Sequence, residues 1–138
     1  MRSVNNAFRL AVQDEFRELA LSLPLASVLV DLGEEDGLSS AELARRETVT
    51  AQTMNQLVFS LVARGLVERR PHKTHGRILT LHLTPGGRQM LDRGLALGNR
   101  VEHEMLRDFS PDARRRLLDD LNRCAKALAR PVRFEPSA

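Results

Sequence analysis

The residues in this 138-residue chain best equipped for chemistry are amides, hydroxyls and guanidinium groups rather than nucleophiles. Gln52, Asn55 and Gln56 are spaced so that a helix would present them on one side. Amide side chains in such a row can bond adenine bidentately in the major groove, with ~1–3 kcal/mol of discrimination for a good pair. Thr50 and Thr53 open the same segment, where hydroxyls and unpaired backbone amides suit phosphate, and Ser39 and Ser40 open the segment before it. Downstream, Arg69, Arg70, Lys73 and Arg77 lie close together, with phosphate contact expected for several and a minor-groove position open to Arg77. Between Arg64 and Arg77 five cations face Glu68 alone, a balance typical of a nucleic-acid contact surface. Nowhere do a nucleophile, a base and an orienting group cluster, so catalysis is not expected. His72, His75, His82 and His103 give no helical ligand pair, so neither a metal nor a cofactor is expected.

The elements that must position these groups run from Ser39 to Thr84. Ser39 with Glu42 reads as a capping box opening a short helix whose core contact is Ala41, Leu43 and Ala44. Thr50 caps the next helix, which carries Met54, Leu57, Val58 and Leu61 on its core side and ends at Gly65. Beyond Gly65 the period changes to two: Leu66 and Val67 begin a strand, and Ile78, Thr80 and His82 alternate with Leu79, Leu81 and Leu83 in a second, which makes a hairpin. On the helix before it, the wheel puts Gln52, Asn55, Gln56, Phe59 and Ala63 opposite the core side, with Phe59 late enough to pack beneath the hairpin. Internal pairing of Arg69 or Arg70 with Glu68 or Glu47 is expected for one of the two arginines.

Outside this block the chain reads as helices. An apolar stripe predicts a helix from Val4 to Leu23, and Pro24 starts another that Gly33 ends after Leu32. Leu38 is expected to pair briefly with the hairpin strands. Thr84 and Pro85 start a long helix over Gly86 to Phe109, roughly 35 Å at 1.5 Å per residue, in which Gly94 and Gly98 leave room for close approach. Ser110 and Pro111 start a last helix with the stripe Leu117, Leu118, Leu121, Cys124, Ala125 and Leu128, ended by Pro131. Cys124 is expected to be buried there as a small hydrophobe. The terminal stripes have no obvious third layer inside one chain, which predicts a homodimer packed around a two-fold axis.

These residues resemble the MarR family of bacterial transcriptional regulators. The resemblance rests on SSAELA, on VTAQTMNQLVFSLVARGLVERR, and on RILTLHLTPGG, where Arg77 precedes the Leu83, Thr84 and Gly87 of a Leu-Thr-x-x-Gly ending. One departure stands out: His75 occupies the place of the family's acidic residue, so the wing arginine lacks its usual anionic partner. The resemblance implies a mainly α fold with a small β-hairpin wing (α+β), a winged helix-turn-helix with a helical dimerisation region. Residues 25–87 would form the DNA-binding core, 1–24 and 88–130 the dimerisation region, and 131–138 a tail. It further implies a repressor that binds a pseudo-palindromic operator in double-stranded DNA. A small aromatic or anionic effector would be held near Arg17, Leu21, Arg88 and Leu91. Relatives that sense oxidants carry a cysteine near the N-terminus, where this chain has none. The competing class is a winged-helix protein-interaction module of the anti-repressor type.

Composition agrees with one domain and a sizeable core. The net charge of +3 is modest and comes from nineteen arginines and two lysines against eighteen acids. It is also polarised, since Asp31, Glu34, Glu35, Asp36 and Glu42 make one stretch acidic while the hairpin is basic. A single cysteine excludes an internal disulfide and suits a reducing cytoplasm. No run approaches ~18 apolar residues, so neither export nor a membrane partner is expected.

Overall fold

The computed structural model describes residues 2–128. In order they form α1 (Arg2–Phe16), a 3-10 turn (Arg17–Leu19), α2 (Leu23–Glu34), β1 (Leu38–Ser39), α3 (Ser40–Arg46), α4 (Ala51–Ala63), β2 (Val67–Pro71), β3 (Leu79–Leu83), α5 (Pro85–Met105) and α6 (Pro111–Leu128). The expectations for Pro131 and the 131–138 tail lie outside the described residues. Packing divides the chain into two compact units, one ending at Val101 and one beginning at Glu102.

The first unit is built on one apolar cluster. Leu29, Leu32, Leu43, Met54, Leu61 and Leu81 are fully buried, each worth ~2 kcal/mol of transfer from water. Helices α2, α3 and α4 pack on one another and on an antiparallel sheet of order β1-β3-β2. Leu38 opposes Leu81 across one edge of β3, and Arg69 opposes the same residue across the other. Both helix starts behave as their sequence demands. Ser39 and Glu42 exchange bonds in a complete capping box, which also holds the Glu42 carboxyl below its ordinary range. Thr50 accepts from the Thr53 amide at 3.1 Å. The close of α4 is a Schellman turn, with the Leu66 N–H on the Leu61 carbonyl, Gly65 on Val62, and Gly65 at φ 69°.

Three boundaries and one core contact differ from expectation. The first helix stops at Phe16 and gives way to a 3-10 turn closed by Ala20 at φ 48°, because Leu19 and Leu21 must both reach the core. The carbonyls freed there are taken by the Arg64 guanidinium, at 3.0 Å to Leu19 and 2.8 Å to Ala20. Gly33 does not end α2, which runs on to Glu34; a Cβ at Gly33 would lie 2.4 Å from Leu91 Cδ2, so the glycine admits α5. Helix α5 ends at Met105 rather than Phe109, and turns closed by Arg107 N–H on the Glu104 carbonyl and Phe109 N–H on the Leu106 carbonyl follow it. In α3, Ala41 is exposed and only Leu43 and Ala44 are buried.

A Cβ at Gly94 would lie 3.6 Å from Leu21 Cδ2, an ordinary contact, and one at Gly98 would meet open space, so neither glycine is needed for the close approach expected of it. In the second unit α6 buries none of its residues within the chain, and Cys124 is exposed rather than buried. Leu118, Leu121 and Leu128 are exposed and Leu117 is half-buried, since a two-faced helix needs an apolar partner to cover its stripe.

A half-buried carboxyl pair, Asp31 and Glu47, links α2 to the end of α3. Desolvation first, then the charge and hydrogen bond of Asp31, push the Glu47 carboxyl above its ordinary range, with Ser27 opposing. Asp31 Oδ2 is buried without a protein donor, as expected if its neighbour must supply the proton.

This packing can be tested at two residues. A Cβ at Gly87 would lie 1.9 Å from the Leu66 carbonyl oxygen, a backbone atom that cannot swing away. Gly87→Ala is expected to cost ~3 kcal/mol or more and lower the thermal midpoint by roughly 10 °C in circular dichroism. Because the folded Glu47 holds its proton above the unfolded value, its stability contribution is complete at acid pH and is lost as pH rises through the raised value. Glu47→Gln should therefore flatten the pH dependence of urea midpoints and exceed wild type at neutral pH; parallel profiles would contradict the pair.

Candidate nucleic-acid interface

The free face of α4 is set by the commitment of Met54, Val58 and Leu61 to the core. Rotating the helix to hide any other side chain would expose these three. Gln52, Asn55 and Gln56 are consequently exposed, and together with Phe59 they line one shallow surface depression of about 510 Å³. Phe59 does not pack beneath the wing: it is 69% exposed, on the amide side of the helix.

The polar groups along this face are not equivalent. Ser40 Oγ donates to Asn55 Oδ1 at 2.7 Å, tying that amide to the start of α3. Gln52 and Gln56 carry no side-chain bond among the described residues and keep both donor and acceptor free. The Thr50 hydroxyl is occupied by the cap and lies 2.9 Å from that of Thr53. Ser39 is likewise consumed by Glu42. Of the serines and threonines in the expected site, then, Ser39 and Thr50 serve first as caps.

The wing is the β2–β3 hairpin and its tip. Thr80 donates to the Arg70 carbonyl at 3.1 Å, and the Ile78 carbonyl accepts from the His72 amide at 2.8 Å. His72 Nδ1 accepts from the backbone amides of Thr74 and His75, both at 3.2 Å, so the histidine shapes the loop rather than binding an ion. Among the described residues no group of three or more His, Cys, Asp or Glu is placed to hold a metal ion. Arg70 pairs with Glu68, as expected for one of the two arginines, and Glu47 takes no part. Arg69, Lys73 and Arg77 are exposed and form no ion pair among the described residues. Arg64 is spent inside the fold and does not belong to the basic surface.

Two structural contributors escaped the residue pattern. One is Arg64, whose acceptors lie more than forty residues away in sequence and leave no local signal. The other is His82, bonded to Asp36 at 2.8 Å and to Thr80 at 2.9 Å, which ties the α2–β1 loop to the middle of the wing. At the expected effector site, Leu21 and Leu91 are core residues, Arg17 pairs with Asp14 at 2.6 Å, and Arg88 is exposed. No helix among the described residues is long and apolar enough to cross a membrane.

A MarR family model matches residues 21–78. The HTH-type transcriptional repressor Rv2887 of Mycobacterium tuberculosis is 36% identical over 121 residues, which cover 86% of this chain and 87% of that protein. The crystal structure of the same MarR family protein in complex with DNA superposes with a TM-score of 0.80 at 31% identity, over 89% of this chain and 92% of that one. Its complex with salicylic acid gives a TM-score of 0.75 at 32% identity, over 89% and 91%. With the winged helix-turn-helix geometry and these relatives in agreement along most of its length, the chain belongs to the MarR family of transcriptional regulators.

Proposed function

We propose that this protein is a cytoplasmic transcriptional repressor that binds a pseudo-palindromic operator as a homodimer and acts by binding, not by catalysis. The observation that carries the reading is the row of exposed amides on α4 beside a wing whose Arg69, Lys73 and Arg77 form no ion pair among the described residues. Gln52, Asn55 and Gln56 read bases in the major groove, and Arg69, Arg70, Lys73 and Arg77 hold phosphates or enter the minor groove. Thr53 and Ser40 add contacts at the helix starts, while Thr50 and Ser39 contribute through the backbone amides that their caps orient. The relative Rv2887, named a repressor and solved with DNA, supports the same use of the fold.

Residues 25–87 serve as the DNA-binding core, and residues 1–24 with 88–130 as the dimerisation region. Each unit leaves apolar side chains open: Val4 and Leu10 on α1, and Leu118, Leu121 and Leu128 on α6. Faces of that kind call for a second copy. A small aromatic anion is the proposed effector, placed at the junction of α1 with the start of α5 around Leu21 and Leu91, with Arg17 and Arg88 as partners for its carboxylate. Salicylic acid bound to Rv2887 supports that chemistry.

Electrophoretic mobility shifts on fragments flanking the gene, titrated at several salt concentrations, test the reading. Saturable, sequence-selective retardation is expected; its absence would favour a winged-helix module that docks on another protein. Lys73→Ala should weaken all sequences alike and flatten the salt dependence by about one unit of log–log slope, as one phosphate contact is lost. An effector can act only through unequal affinity for the free and the operator-bound protein. Calorimetric titration of salicylate is therefore expected to show weaker binding once operator is present, with ~1.4 kcal/mol corresponding to a tenfold change in operator affinity. Equal affinities would exclude salicylate as an inducer.

A further inference from the structure

Phe59 contributes nothing to the core, yet it holds the largest side chain on the outer face of α4. At 69% exposure it leaves most of an aromatic ring in water, in a chain with five phenylalanines and no other large aromatic residue. Its neighbours are amides, not other apolar groups. Gln52, Asn55 and Gln56 precede it at the spacing of successive helical turns, and all four line the same depression. The row therefore extends about 10 Å along the helix from Gln52 to Phe59 at 1.5 Å per residue, close to the ~12 Å width of a major groove. A helix seated there by its amides carries the ring into the groove with them.

The major groove presents donors and acceptors on every base pair but only one apolar group, the thymine C5-methyl. We infer that Phe59 is a specificity-determining residue that packs on a thymine methyl, selecting thymine at a base pair beyond those read by Gln52 and Gln56. The inference rests on the DNA-binding reading above and deepens it. Cytosine at that position offers no methyl and would have its N4 amine desolvated against the ring without a partner, which adds discrimination. The gain from thymine corresponds to one methyl withdrawn from water, about fourfold in affinity for each half-site.

The test begins with duplexes selected from random DNA by the full chain, in which every thymine is replaced in turn by deoxyuridine, removing the methyl and nothing else. Wild type is expected to lose about fourfold at one thymine of a half-site. Phe59→Ala is expected to bind the thymine and deoxyuridine duplexes equally, both near the weaker wild-type value, while Phe59→Leu keeps part of the difference. The melting temperature of Phe59→Ala should match wild type, because the ring is solvent-exposed; should that variant fail to fold, the leucine variant carries the comparison. Wild type indifferent to every replacement, or the same loss persisting without the ring, would overturn the inference. Failure of wild type to select any sequence would be a separate result, one that removes the DNA-binding reading itself.

Discussion

The winged helix depends on a backbone contact at the exit of the wing. The Thr84 hydroxyl donates to the Gly65 carbonyl at 2.6 Å and accepts from the Gly87 amide at 3.0 Å, while the Thr84 amide donates to the Leu66 carbonyl at 3.1 Å. One residue thus closes α4, ends β3 and starts α5. The approach is so close that Gly87 has no room for a side chain against the Leu66 carbonyl. Gly65 supplies the left-handed turn that brings this carbonyl into place. The Leu-Thr-x-x-Gly ending is therefore a packing requirement: Leu83 fills, Thr84 bonds and Gly87 yields space.

Around that junction the cations divide by what they can reach. Arg64 satisfies two carbonyls left by the irregular end of α1, a use that couples the first helix to the end of α4. Arg70 neutralises Glu68 on its own strand, in an exposed pair worth little to stability. The remaining wing cations, Arg69, Lys73 and Arg77, form no ion pair among the described residues and stay exposed. A net charge of +3 understates this surface, because all but one of the eighteen acids lie outside the segment from Arg64 to Arg77.

The same division holds for the polar groups of the helix-turn-helix. Hydroxyls at helix starts are held by caps, and Ser40 fixes Asn55, so two glutamines remain with full hydrogen-bonding capacity. This face carries one amide held by Ser40, two glutamines and an aromatic ring. Carboxylates in the scaffold behind it pull in opposite directions with pH: Glu42 is stabilised as an anion by its cap, and Glu47 as an acid by burial beside Asp31.

Local signals were enough for the caps at Ser39 and Thr50, the stop at Gly65, the change of period into the hairpin and the amide face of α4. Each depends on neighbours within a turn or on a strand's own alternation, which is why they could be read from residue order. Even Phe59 was placed on the correct side by its spacing, though not its exposure, which depends on whether anything arrives to cover it. Tertiary structure decided the rest. Leu19 and Leu21 entering the core broke the first helix, Leu91 turned Gly33 from an expected stop into a packing site, and Arg64 found acceptors on a segment far away in sequence. The open stripe of α6 and the exposure of Cys124 belong to the same class. Periodicity establishes that a face is apolar, but burial is a property of what lies opposite, and no stretch of sequence contains its own partner.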